Sequence, residues 1–140
     1  MTSLRGGCHC GNISVEFETK LDPRALHIRE CQCSFCRKHG ARTTSDPTGR
    51  LRVSPREPDL LLRYRFALGI TDFLVCKTCG VYIAPTMQAS KGVMGAVNAN
   101  VLDQREFFLR RGEPVSYFVE NVEQRTARRL LAWMPVEMRG

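Results

Sequence analysis

The chain has 140 residues, 43% hydrophobic and 25% charged, with a formal net charge of +7. This length sets one domain over residues 1–140, large enough to bury its own core. No apolar run approaches the roughly 20 residues of a membrane span, and Met1 to Cys8 lacks the apolar stretch of a secretory signal, so a cytoplasmic protein without a membrane partner is expected.

Seven cysteines are an odd number, which excludes complete internal pairing. A reducing compartment disfavours structural disulfides in any case. Close spacings such as Cys-x-Cys suit two thiolates reaching one ion. Ligating thiols are deprotonated, so metal binding would lower the net charge and leave a moderately basic chain. Such a balance suits an anionic small molecule or a weak nucleic-acid contact, and equally a solvated basic surface.

In chain order, Gly6-Gly7-Cys8-His9-Cys10-Gly11 is a glycine-bounded turn. Gly11 follows the second cysteine where positive φ lets backbone N–H groups face sulfur. Ile13 to Glu18 alternates apolar and polar residues and predicts a half-buried strand. Arg24 to Glu30 alternates again and delivers the chain to Cys31. Ser34 is placed to cap a short helical turn carrying Cys36, Arg37, Lys38 and His39, with Gly40 ending it. Thr43 to Arg50 reads as loop and Leu51 to Val53 as a brief strand. Leu60 to Phe66 and Thr71 to Val75 predict a hairpin leading into Cys76.

Cys76-Lys77-Thr78-Cys79-Gly80 is a second glycine-followed turn. Val81 to Ala84 and Gly92 to Asn98 read as further strands. Phe107, Phe108 and Leu109 form an apolar patch in irregular chain. A helix follows over about residues 121–134, with Asn121 and Gln124 as a capping box and Pro135 as its stop. Val122, Thr126, Ala127, Leu130, Leu131 and Met134 share one helical face, which predicts an amphipathic helix packed on a sheet.

The two glycine-followed pairs, Cys8 with Cys10 and Cys76 with Cys79, resemble each other. Brought together they make a four-thiolate cage, the common closed structural zinc site. Cys31, Cys33 and Cys36 remain. Three protein ligands leave a tetrahedral metal one open position, as catalytic zinc requires. His39 is the rival: if the turn is helical it supplies a fourth ligand and closes the site. Arg37 and Lys38 beside the thiols favour thiolate or guide an anionic substrate, or are two solvated charges on a turn. His9 is expected to point outward and His27 to lie on a strand surface.

Gly7-Cys8-His9-Cys10-Gly11, Cys31-x-Cys33-Ser34-x-Cys36-Arg37-Lys38-x-Gly40-Ala41, Cys76-x-x-Cys79-Gly80, Val97-Asn98 and Leu102-Asp103 together resemble the family of the glutathione-dependent formaldehyde-activating enzyme and centromere protein V. The motifs cover about residues 6–103. The resemblance implies a mainly β "tent" of several small sheets. It implies the same division of cysteines, with a structural zinc on Cys8, Cys10, Cys76 and Cys79 and a more labile, partly occupied catalytic zinc on Cys31, Cys33 and Cys36. It also implies a carbon–sulfur lyase that joins glutathione to formaldehyde to give S-hydroxymethylglutathione. From Glu113 onward the chain departs from the family's shape and enters the arginine-rich helix, with Trp133 and Pro135 as the remnant of an aromatic-proline element. Two other readings stand beside the enzyme: a zinc-stabilised binding module for nucleic acid or protein, motivated by Arg125, Arg128 and Arg129, and a metal or thiol buffer. The absence of a dense basic run interleaved with aromatics argues against nucleic acid.

Overall fold

The structure is a computed structural model and describes residues 1–139. In chain order the strands are β1 (Thr2–Gly7), β2 (Ile13–Thr19), β3 (Arg29–Cys31), β4 (Thr43–Thr44), β5 (Arg50–Pro55), β6 (Leu61–Tyr64), β7 (Asp72–Cys76), β8 (Tyr82–Ala89), β9 (Gly92–Gly95), β10 (Val97–Asn98), β11 (Glu113–Val115) and β12 (Met134–Met138). The helices are α1 (Ser34–His39) and α2 (Val122–Ala132). The strands form an eight-stranded sheet in the order β1-β2-β5-β12-β9-β8-β7-β6 and a four-stranded sheet in the order β10-β4-β3-β11. The architecture is mainly β and multi-sheet, as expected.

Alternation does the first part of the work. In β2, Ile13, Val15, Phe17 and Thr19 are buried while the residues between them are not. Leu51, Val53 and Pro55 do the same in β5, which pairs with β2 in antiparallel register. Leu4, Ile13, Val15, Phe17, Leu51 and Val53 join Ile28, Val97 and Leu102 from the second sheet's side of the chain in one apolar core. The polar faces carry cross-strand ion pairs. Arg52 lies opposite Glu16 and Glu137, reaching Glu16 Oε1 at 2.6 Å and Glu137 Oε2 at 3.0 Å. One guanidinium thereby ties β12 to its neighbours.

Several expectations change. The stretch Arg24 to Glu30 forms a strand only at its end, because Pro23–Ala25 turns as a short 3-10 helix capped by Asp22. Thr43 and Thr44 form β4, not loop, and bridge β3 to β10. Gly92 to Asn98 is two strands in two different sheets, β9 and β10. Leu60 to Phe66 shortens to β6 at the sheet edge, where the unpaired side weakens it. Of the apolar patch, Phe108 is buried but Leu109 is exposed.

The largest correction concerns α2. Its capping box is present as read, with Asn121 and Gln124 each satisfying the other's backbone amide. The helix ends at Ala132, and Pro135 sits inside β12. The strand tolerates it because the parallel pairing with β5 begins one residue later, at Val136. The face turned inward is not the leucine face. Arg129 is 6% exposed, whereas Leu130 is 41% and Leu131 80% exposed. Arginine stems and aromatic rings cover the inner side: Arg128 lies 3.4 Å from the Tyr117 ring centroid and Arg129 4.2 Å from that of Trp133.

Candidate metal centres and the cavity beside them

The first cluster joins the two ends of the large sheet. Cys8 and Cys10 lie in the turn between β1 and β2, Cys76 ends β7, and Cys79 follows in the next turn. All four sulfurs lie within 4.8 Å of one another. Cys8 and Cys10 Sγ are 3.7 Å apart, and Cys10 and Cys76 Sγ 3.6 Å. A tetrahedral four-thiolate zinc with Zn–S near 2.3 Å needs edges of about 3.8 Å, so the cage fits the ion. Both knuckle glycines adopt the conformation the sequence called for: Gly11 at φ 86° and Gly80 at φ 79°. Their amides donate to the carbonyls of Cys8 and Cys76. Burial works to raise the Cys79 thiol, but the amides of Cys10 and Val81 outweigh it and bring it down to about 6.

The second cluster is built on one short stretch. β3 ends on Cys31, Cys33 caps α1, and Cys36 is buried within α1. Their sulfurs also lie within 4.8 Å of one another. The cap is not Ser34 but Cys33 itself, whose sulfur accepts from the Cys36 amide at 3.3 Å. Gly40 ends the helix in the left-handed region at φ 59°, as read. Phe35 anchors the turn, with ring centroids 4.7 Å from Phe73 and 4.9 Å from Tyr82. Hydrogen bonds from the Cys31 and Cys36 thiols, then the Cys36 and Phe35 amides, pull Cys33 well below the usual thiol range. The same contacts push Cys36 up.

His39 stands outside this group. It is exposed, one turn beyond Cys36, with its ring 4.4 Å from Phe35 and 5.5 Å from Tyr82. Arg37 and Lys38 are exposed on the last turn of α1 and contribute nothing to the wall of the adjoining cavity. His9 is exposed, and His27, also exposed, pairs with Glu113 at 3.0 Å.

That cavity, of about 540 Å³, has Cys31, Cys33 and Cys36 in its wall. Its charged residues are ones the sequence did not single out for the site: Arg29 from β3, Arg125, Arg128 and Arg129 from α2, and Glu120 just before α2. Glu120 holds Arg128 at 2.7 Å and Arg125 at 3.3 Å. Tyr82 lines the cavity, and its buried hydroxyl has no hydrogen-bond partner among the described residues. Burial first, and the three nearby thiols next, keep that hydroxyl protonated far above its ordinary range. One signal was available in the sequence: Arg125, Arg128 and Arg129 share i, i+3 and i+4 spacing and so form a face of their own.

Fold and site define a small multi-sheet β protein with two cysteine clusters able to hold metal ions, one of them in a cavity wall. A family model described as the glutathione-dependent formaldehyde-activating enzyme matches residues 3–120, and the chain belongs to that family. A crystal structure of a Rhodobacter sphaeroides protein is similar, at 30% identity over 79% of this chain and 99% of that one, with a TM-score of 0.58. Helix α2 lies beyond the residues that the family model matches. No helix among the described residues is long and apolar enough to cross a membrane.

Proposed function

We propose that the chain is a zinc-dependent carbon–sulfur lyase-type enzyme acting on a small thiol adduct, with glutathione and formaldehyde as the pair and S-hydroxymethylglutathione as the product. The observation that carries this reading is the convergence of three sulfurs, without a fourth ligand in their group, in the wall of a cavity of substrate size. Cys31, Cys33 and Cys36 would hold the catalytic zinc, and Cys8, Cys10, Cys76 and Cys79 the structural one. Bound at the triplet, zinc supplies positive charge that keeps a thiol deprotonated at neutral pH.

The reaction adds a thiol sulfur to the formaldehyde carbon. The carbon–oxygen π pair moves to oxygen, and the proton lost from sulfur ends there. The chain's own groups bear on each part. The apolar walls, Phe66, Phe73 and Leu68 among them, exclude water from the reacting atoms. Tyr82 carries a free, protonated hydroxyl near the thiols, suited to donate a hydrogen bond to an oxygen that is gaining charge. The arginines attract carboxylates to the cavity. Those same arginines motivated nucleic-acid binding, and their inward orientation withdraws that motive.

The test is exchange NMR of glutathione with formaldehyde, comparing wild type with Cys33→Ser. Faster exchange with wild type supports the enzyme. Equal rates would remove the catalytic claim for this pair.

A further inference from the structure

Two of the four guanidinium groups in the cavity have no anionic partner. Arg29 is 9% exposed and Arg129 6% exposed, and neither belongs to any ion pair among the described residues. Arg29 donates to Ser45 Oγ at 2.7 Å, and Ser45 in turn donates to the Ala132 carbonyl at 2.6 Å. Arg129 donates from Nη1 to Thr71 Oγ1 at 2.6 Å, lies over Trp133, and keeps a buried Nε with no partner. The only carboxylate in the wall among the described residues, Glu120, is engaged by Arg125 and Arg128. Burying an unpaired charge is costly. A fold that buries two beside one cavity is incomplete without an anion in it.

We infer that Arg29 and Arg129 form a carboxylate-binding subsite, which seats the acidic end of the thiol substrate while its sulfur reaches the cysteine triplet. This rests on the enzymatic reading above for the word substrate, but not for the binding itself. The guanidinium fork matches a planar carboxylate through two parallel N–H donors. The surrounding wall of Phe73, Tyr117, Phe118 and Trp133 suits a weakly hydrated monoanion better than a phosphate dianion. Ser45 ties Arg29 to the end of the helix that carries Arg129, so the two donors are held by one framework. Arg129 and Trp133 lie beyond the segment that the family model matches.

The chain has a single tryptophan, which makes Trp133 a reporter at the subsite. Sodium propionate is titrated into the zinc-loaded full chain, followed by tryptophan fluorescence and calorimetry. Saturable binding is expected in wild type, weakened roughly 10- to 100-fold in Arg129→Gln, as for loss of one charged hydrogen-bonded pair, and partly restored in Arg129→Lys. Arg29→Gln is expected to weaken it as well, with circular dichroism confirming that each variant is folded. 3-Mercaptopropionate should bind more tightly than propionate or ethanethiol, because it engages both ends. No saturable response to propionate in wild type would overturn the subsite without reference to any variant, and tighter binding of inorganic phosphate would overturn the carboxylate assignment. Propionate binding without glutathione–formaldehyde exchange would support the subsite and sink the enzymatic reading. Exchange without propionate binding would do the reverse.

Discussion

Cys10 and Cys76 stand 66 positions apart in the chain, yet their sulfurs lie 3.6 Å apart. The pair joins the turn after β1, at one edge of the large sheet, to the end of β7, near the other edge. Metal binding there would be folding energy, because the unfolded chain cannot preserve the cage. Cys76→Ser is therefore expected to cost several kcal/mol, on the order of what a structural site contributes. A chelator of moderate strength should remove one zinc, from the three-thiol cluster, and leave the fold. Metal counting with circular dichroism reads both. Loss of both ions together with unfolding would refute the division into two sites, whereas a stripped but folded protein whose metal exchanges freely without any catalysis would favour a metal or thiol buffer.

Cys33 has two tasks that a substitution can separate. Its sulfur caps α1 and belongs to the triplet. Serine is itself a preferred cap, so Cys33→Ser should keep the local turn and change stability by less than about 1 kcal/mol. It should abolish the accelerated exchange and the second metal. Thermal melting and a metal count on the same sample decide it: a large fall in stability would mean that the triplet, too, is mainly structural.

The two glycine-followed cysteine turns were legible because local chemistry dictates them. Two sulfurs and a following glycine need only a tight turn with positive φ, and Gly11 and Gly80 supply it. The capping box at Asn121 and Gln124 is equally local. The inward face of α2 was not legible, because Arg129 is buried against Thr71 and Met87, which come from distant parts of the chain, as well as over its near neighbour Trp133. Apolar periodicity chose the leucines, and tertiary structure chose the arginines. β12 was hidden for a related reason: Pro135 signals a break, and the strand is defined by pairing with β5 and β9, which are distant in the chain. Arg37 and Lys38 were singled out by proximity in sequence to Cys36, whereas their exposed side chains take no part in the wall of the cavity.

That placement sets the next expectation. Exposed charges outside the cavity act on a substrate only through screened solvent, within about 8 Å at physiological ionic strength. Arg37→Ala and Lys38→Ala should each change the KM for glutathione by less than about twofold at that ionic strength. Steady-state exchange measurements at low and moderate salt test this. A tenfold rise in KM that persists at moderate salt would restore these residues to the binding site.

Asp46 sets an acid limit on stability. It is 1% exposed and accepts from Thr19 Oγ1 at 2.7 Å, Thr48 Oγ1 at 2.7 Å and the Lys20 and Thr48 amides at 2.9 Å. Burial alone would raise it, but these donors overcome burial and hold the carboxyl at about 2. The folded group is thus a stronger acid than the unfolded one, near 3.9. Its contribution, about 2–3 kcal/mol at neutral pH, is fully present above pH 4 or so and is lost as pH falls through about 2. Asp46→Asn should remove that stability at pH 7 and make little difference near pH 2, in denaturant titrations at the two pH values. An equal effect of the substitution at both would show that the carboxylate charge is not the source.

Tyr82 offers a substitution in which stability and activity should move in opposite directions. Its hydroxyl is buried and unpartnered, a condition that costs roughly 1–3 kcal/mol relative to a satisfied or absent group. Tyr82→Phe removes the oxygen and keeps the ring that packs against Phe35 and Phe73. Melting should therefore show a protein at least as stable as wild type, by about 1 kcal/mol. If the hydroxyl donates to an oxygen gaining charge, exchange should slow by roughly tenfold or more, chiefly in kcat, because the bond strengthens as the charge develops. A core residue without a role would give the stability gain alone. An unpartnered polar group tolerated in a core, next to three thiols and in a cavity wall, is the pattern left when function opposes stability, and an unchanged kcat in the more stable variant would show that no such opposition exists at this residue.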